Sequence, residues 1–479
     1  MIRLFGYECR RIFASGISRI LLVIFSLLIG ICWFFEVDSS KKAYGSESTT
    51  GFYDKNGHLL SSFDLIRKED EIRQKLAGKM DEAWLENYEK QKENSYKESL
   101  SSIYDFDALN AEYSESWLSD YLSHSDEWAE PLFFYSDGSD EEEAVIQEEI
   151  RKEYEKENAG KKKLIYRKDY EQKLETGKPL ETLEYSVLSN DWFNYVSQAA
   201  VEKIWANPDG LIPGEYMYDG AGRKEAMGAW PNTRLSREQI SYYGELLSRQ
   251  DCFYYGKRGT AAEIFNIWHL SGLFLLFLSV WYGSRALSMD QSPAAAETLA
   301  CNVREKNLPW IKAAAILTGT GLAWGLLYGV PIVLSLITDT FPDLKMNMMA
   351  ITNLANIFTI GQGMLLTCGQ SLIGALASCA LAFLIGSFFR SAAASAAVSL
   401  LFLFLIPEIF VSGMTGIGLI LPGCLLYMPA MFDWSAEIFH HVILLWPVYL
   451  IWWLIWIPLI FLLAIWIRKR KRESFCTGS

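Results

Sequence analysis

The chain has 479 residues, of which 51% are hydrophobic and 17 are tryptophan, yet about a fifth of the residues are charged. Mean hydropathy is still slightly positive at +0.09, so polar and apolar residues are segregated and a wholly soluble chain is excluded. Residues 36–260 hold 46 acidic and 29 basic side chains, a net of −17, while the remainder carries +4; without a basic face to contact phosphates, nucleic-acid binding is excluded as well.

The first sixteen residues place Ile2, Phe5, Cys9, Ile12 and Phe13 on one helical stripe, with Arg3, Arg10 and Arg11 off it. Such a segment suits an amphipathic helix lying along a membrane surface. A first span follows at Ile17–Phe35. Its bulky Trp33-Phe34-Phe35 end, without a small-residue cleavage site, predicts a retained anchor and not a signal peptide.

Residues 36–260 read as one mostly helical aqueous domain. Ile66–Leu100 is rich in helix formers and free of proline. Glu141–Glu157, then Asn158-Ala159-Gly160, then Lys161–Leu174 predicts two helices turned by a glycine cap. Ser236 and Gln239 form a capping-box pattern, and Asn56-Gly57 suits a small hairpin. Trp84, Trp117, Trp128, Trp192, Trp205 and Trp230 are expected in its core. The acidic run Asp137–Glu143 lacks the spacing and glycine of a calcium loop and reads as a solvated helix start.

Five more spans of about 20 or more mostly apolar residues follow: Ile264–Tyr282, Ile311–Leu336, Ile360–Phe388, Ala392–Val411 and Val442–Ile467. The apolar stretch Ile417–Phe432 is short and broken by Pro422, Gly423 and Pro429, which predicts a re-entrant hairpin within residues 412–441. Six spans are therefore expected, with seven the alternative. The basic clusters at Arg3–Arg19, Arg285–Lys312, Arg390 and Arg468–Arg472 share one face only with six spans and both termini in the cytoplasm. The fold class is an α-helical polytopic membrane protein, with residues 36–260 outside the cell membrane.

Eight cysteines include no CxxC pair, and five histidines are scattered, so neither a disulfide scaffold nor a metal site is indicated. No P-loop, H-E-x-x-H or G-x-S-x-G is present, so no catalytic residue and no cofactor is assigned to this chain. Polar groups at membrane depth are the functional candidates. Asn353, Asn356, Gln362 and Gln370 step along one segment, and Glu408 follows Pro407; these are the candidate pathway or gate residues. Between the second and third spans, the loop 283–309 contains a short helix at Pro293–Val303, with Pro293 and Glu297 suited to its start.

This order of features resembles the permease subunits of ABC-2 type exporters, bacterial transporters whose ATPase is a separate chain. The resemblance rests on the basic amphipathic start, one span and a large exported insert. It continues through the small-residue run before Arg304, Lys312 opening the third span, Gly386-Ser387-Phe388-Phe389-Arg390, and the hairpin before the last span. It covers 1–35 and 264–472. The resemblance implies a coupling segment at Pro293–Lys306, with Pro293, Glu297, Arg304 and Lys306 facing the ATPase. It also implies an elbow helix carrying Arg3, Phe5, Arg10 and Arg11, a second permease subunit, identical or not, surrounding lipid, and ATP with magnesium in the partner alone. The large insert departs from many family members and leaves substrate size open. The alternative is a membrane-anchored sensor or mechanical transmitter driven by an ATPase without transport.

Overall fold

The computed structural model describes residues 2–13, 16–43, 51–53, 58–130, 141–167, 178–192, 196, 216–218, 224–226, 253–288, 308–351, 358–389, 391–405, 422–427, 435–438 and 441–477. In chain order its helices are α1 (Ile2–Phe13), α2 (Gly16–Ala43), α3 (Ser62–Lys75), α4 (Glu82–Ile103), α5 (Phe106–Tyr113), α6 (Trp117–Ser123), α7 (Glu141–Glu157) and α8 (Leu183–Asp191). They continue with α9 (Ala261–Ser288), α10 (Leu308–Ile337), α11 (Ile360–Gly386), α12 (Ala392–Leu400), α13 (Cys424–Tyr427) and α14 (Leu445–Thr477). The chain divides into two compact units, Asp38–Val196 and the remainder.

In the acidic unit, the helix-rich stretch over 66–100 is divided between α3 and α4. The chain breaks at Leu76–Asp81, where the Leu76 carbonyl accepts from the Trp84 indole at 2.6 Å. Asp81 then caps α4 by accepting from the Trp84 amide at 2.8 Å. Ser61 caps α3 in the same way through the Asp64 amide. The helices are fastened across the fold by Arg73, whose buried guanidinium reaches Asp191 through Nε at 2.8 Å and Nη2 at 3.1 Å.

Gly160 adopts φ +89° after α7, as a C-terminal cap requires. The second helix expected after it does not form within the described residues. Lys162–Lys163 instead pairs in parallel with Trp128–Ala129, and the Leu164 amide donates to the Ala129 carbonyl at 3.0 Å. Extension wins because it drives Leu164 into an apolar cluster with Leu100, Leu109, Trp117 and Trp128. Trp117 and Trp128 are core residues as expected; Trp205, Trp230, Ser236 and Gln239 lie outside the described residues.

Among the described residues five helices are long and apolar enough to cross a membrane: Gly16–Ser39, Ala261–Ala286, Leu308–Ile337, Ile360–Gly386 and Trp446–Arg470. A shorter apolar segment, Ala392–Leu405, joins α12 to a turn of π geometry at Leu401–Leu405. Contacts fix their directions. Phe25 of α2 stacks on Phe274 of α9 at 4.3 Å, and the Asn266 amide donates to the Glu36 carboxylate at 2.9 Å, so α2 and α9 are antiparallel. Thr260 meets Ser335 at one end of α9–α10 at 2.7 Å, and Lys312 meets Ala286 at the other at 3.2 Å. Phe358 and Phe383, flanking and ending α11, contact Trp446 and Phe461 of α14 in the same order, so these two helices run parallel.

The consequence is a bundle with two chemically different ends. One carries Arg10, Arg11, Arg19, Arg285, Lys312, Arg468, Lys469 and Arg470 against a single acid, Glu8, among the residues whose side chains are described. The other mixes Lys257, Arg258 and Lys345 with Glu36, Glu263, Asp339 and Asp343. The chain leaves the bundle for the acidic insert, and re-enters it, at this mixed end. A hairpin of β1 (Ser435–Ile438) and β2 (His441–Leu444) leads into α14.

Candidate functional site

Two features of the bundle can do work: the stem at its basic end and a polar seam at mid-depth. At the basic end α1 packs mainly on α10. Phe5 and Cys9 are half-buried and Arg10 is exposed, as the stripe predicts. Glu8, the one acid in the first 35 residues, is 1% exposed and pairs with Arg11 at 3.2 Å. That burial is a departure from the amphipathic pattern, in which Glu8 belongs to the wet face. The Cys9 thiol is held above its ordinary range by burial and by the adjacent Glu8 charge.

Lys312 lies one turn into α10 and is fully buried, its ammonium donating to the Ala286 carbonyl at 3.2 Å. Ala286 is in the last turn of α9, whose carbonyls carry the negative end of the helix dipole. The cation therefore staples the two ends of the 287–311 connection together. Arg285 stands 5.9 Å over the Trp281 ring on the same stem. Whatever the connection does, its displacement reaches α9 and α10 jointly.

Midway along the bundle Pro422–Tyr427, the described part of the stretch expected to re-enter, wedges between α9 and α11. Leu425 and Leu426 are buried. A side chain at Gly272 would collide with the Leu426 carbonyl, and one at Gly374 would lie 2.8 Å from Leu425 Cβ and 3.0 Å from the Pro422 carbonyl oxygen. At 1.5 Å per residue, Gly272 is about 16 Å along α9 and Gly374 about 21 Å along α11, well inside spans of roughly 40 Å. Two glycines thus admit a broken backbone to the middle of the bundle. Tyr328 of α10 donates to the Leu426 carbonyl at 3.4 Å, Trp324 donates to Ser371 at 3.0 Å, and Trp268 donates to the Tyr328 carbonyl at 3.0 Å.

The face of α11 that meets this wedge carries Gln370, Gly374 and Ser378, spaced by one turn each. Gln370 is fully buried, and neither its carbonyl oxygen nor its amide nitrogen has a hydrogen-bond partner among the described residues. The hydroxyls of Ser378, Ser395 and Ser399 are likewise buried without partners. Gln370 and Ser378 share one face of α11, a short polar seam beside the wedge, and toward the basic end Ser395 of α12 approaches Gly386.

The other residues singled out from sequence fall as follows. Gln362 is exposed and forms a capping box with Thr359, accepting from its amide at 3.0 Å, so its side chain closes the start of α11. Pro293, Glu297, Arg304, Lys306, Asn353, Asn356 and Glu408 lie outside the described residues, as does the side chain of Arg3. Glu8, Tyr328 and the Ser378–Ser395–Ser399 group escape sequence reading, because small hydroxyls and a lone acid give no periodic signal. Among the described residues no three His, Cys, Asp or Glu side chains gather as a metal site.

Comparison of the chain with protein-family models, curated proteins and solved structures finds no match. The functional reading rests on the residues alone.

Proposed function

We propose that the chain is the membrane-spanning permease subunit of an ABC-2 type, ATP-driven exporter working with a separate ATP-binding subunit. The observation that carries this reading is the stapled stem at the basic end. Lys312 and Ala286 make the connection bearing Pro293, Glu297, Arg304 and Lys306 a lever on two adjacent spans. In this reading the basic end faces the cytoplasm, as short Arg- and Lys-rich segments do. The Ala392–Leu405 segment continues to complete a sixth span, and residues 36–260 face the exterior.

ATP binding in the partner closes its nucleotide sites and pushes the Pro293–Lys306 segment. The stem tilts α9 and α10 against α11 and α12, opening the seam to one side of the membrane and then the other. This is two-state switching, biased by the differential affinity of ATP for the two states. A second permease subunit supplies the opposite wall. The polar seam supports transport over pure signalling, since a mechanical transmitter needs no buried, unsatisfied amide at mid-depth.

The test is purification of the tagged chain from its native membranes. The expected result is a co-purifying P-loop ATPase whose hydrolysis depends on the permease. Glu297→Lys and Arg304→Glu are expected to weaken the association; an unchanged complex with both reversals removes the coupling assignment.

A further inference from the structure

Gln370 poses a chemical question that the permease reading leaves open. Its side chain presents a donor and an acceptor, both shielded from solvent and both without a partner. Leaving such groups unmet inside a low-dielectric core is costly, so natural cores avoid it. The amide stands one turn from Gly374, where the Pro422 carbonyl and Leu425 close in from the re-entrant turn. The whole of α11 contains no Asp, Glu, Lys or Arg.

We infer that Gln370 is a mid-membrane subsite for the backbone of an extended, uncharged peptide segment, the class of cargo this seam takes. The inference rests on the permease reading and adds the substrate class. A cation would satisfy the carbonyl of Gln370 but face its amide hydrogens. An anion would do the reverse. Either would enter a site with no counter-charge on α11. A residue in extended conformation offers its own N–H and C=O on the same edge, the arrangement by which paired antiparallel residues exchange two hydrogen bonds. A carboxamide matches that pair with its acceptor and donor. Apolar side chains of the peptide then meet the leucine-rich remainder of the bundle at no desolvation cost.

The experiment uses the full-length chain in lipid nanodiscs and a fluorescent acetyl-(Ala-Leu)3-amide peptide, compared with the same sequence methylated on its backbone nitrogens. The wild-type chain is expected to bind the unmethylated peptide about tenfold more tightly, the worth of one net hydrogen-bond pair. Gln370→Met preserves length and removes both polar atoms. It is expected to bind the two peptides equally, at the weaker level, and to raise the thermal midpoint of the peptide-free chain, since it removes the unmet polar groups. If Gln370→Met binds the unmethylated peptide as the wild type does, the inference falls, and ordered water satisfies the amide instead. A second readout does not depend on that variant: a benzophenone on the peptide is expected to crosslink within 422–427 or α11, and crosslinking confined to other segments also overturns the site. A co-purifying ATPase without peptide discrimination removes the subsite and keeps the permease. Discrimination without any ATPase keeps the subsite and removes the permease.

Discussion

Lys312 and Ala286 are joined by a hydrogen bond of 3.2 Å that no water reaches, the ammonium being fully buried. A charged donor on a helix-terminal carbonyl is worth about 2 kcal/mol. Lys312→Met keeps the apolar stem of the side chain and removes that bond. It is expected to lower stability by about this amount and to increase proteolytic cutting within 289–307. An unchanged cutting pattern would show that the staple does not hold the connection.

The seat of Pro422–Tyr427 between α9 and α11 makes a steric claim that can be checked glycine by glycine. Gly272→Ala places a methyl group into the Leu426 carbonyl, and Gly374→Val crowds Leu425 and the Pro422 carbonyl. Each is expected to cost about 2 kcal/mol or more through overpacking. Gly321→Ala, whose added methyl meets nothing within 4 Å, is expected to be neutral or slightly stabilising. Thermal midpoints of the three purified variants decide the matter.

In the acidic unit, Arg73 and Asp191 lie 118 residues apart in sequence and are both nearly excluded from solvent. Removing Asp191 takes away the two shortest contacts of the buried guanidinium and leaves it the longer ones to Glu69 at 3.4 Å and Asp70 at 3.5 Å, so Asp191→Ala is expected to destabilise this unit by about 2 kcal/mol. Replacing both, as Arg73→Met with Asp191→Leu, also removes the Arg73 contact of the buried Asp70, so the triple variant that adds Asp70→Asn is expected to be the one that recovers part of the loss. Hydrogen exchange in α3 and α8 reports it directly.

Two groups give this unit opposite pH limits. A hydrogen bond from Lys162 holds the half-buried Asp120 carboxyl below the usual carboxylate range. Its contribution is present above that range and is lost as pH falls through the depressed value. Burial, with the Glu130 charge beside it, holds the Tyr104 phenol well above its ordinary range. That contribution is complete below the free tyrosine value of about 10 and is lost as pH rises beyond it. Protection factors in 100–130, taken relative to intrinsic exchange at each pH, are therefore expected to be highest between these limits, with the alkaline loss the larger because Tyr104 is buried.

Much of the bundle is legible in the sequence because the bilayer fixes span length and composition together. The break in the apolar stretch around 422–427 is legible through Pro422 and Gly423. Its seat on Gly272 and Gly374 is not, since only tertiary packing brings the segments together. The break between α3 and α4 is hidden for a similar reason: helix-forming residues flank Gly78 on both sides, and the Asp81 cap shows itself only through geometry. Lys161–Arg167 misleads in the other direction. Its lysine-rich composition suggests helix, but a single buried residue, Leu164, commits it to extension. At the candidate site the amphipathic stripe of α1 reads correctly for Phe5 and Arg10, while Glu8 is buried against its pattern. Of the polar residues at membrane depth, Gln370 is enclosed in the seam and Gln362 is a cap, a difference that depends on nothing but their positions along one helix.

The reading as a whole depends on the basic end of the bundle facing the compartment that holds ATP. Impermeant maleimide labelling of intact cells tests this most directly, in a chain whose other cysteines are removed. Ser125→Cys reports the acidic insert, and the native Cys476 reports the tail. The account expects the thiol introduced at position 125 to react in intact cells and Cys476 to react only after permeabilisation. Labelling of Cys476 from outside, or protection of the introduced thiol, would contradict it.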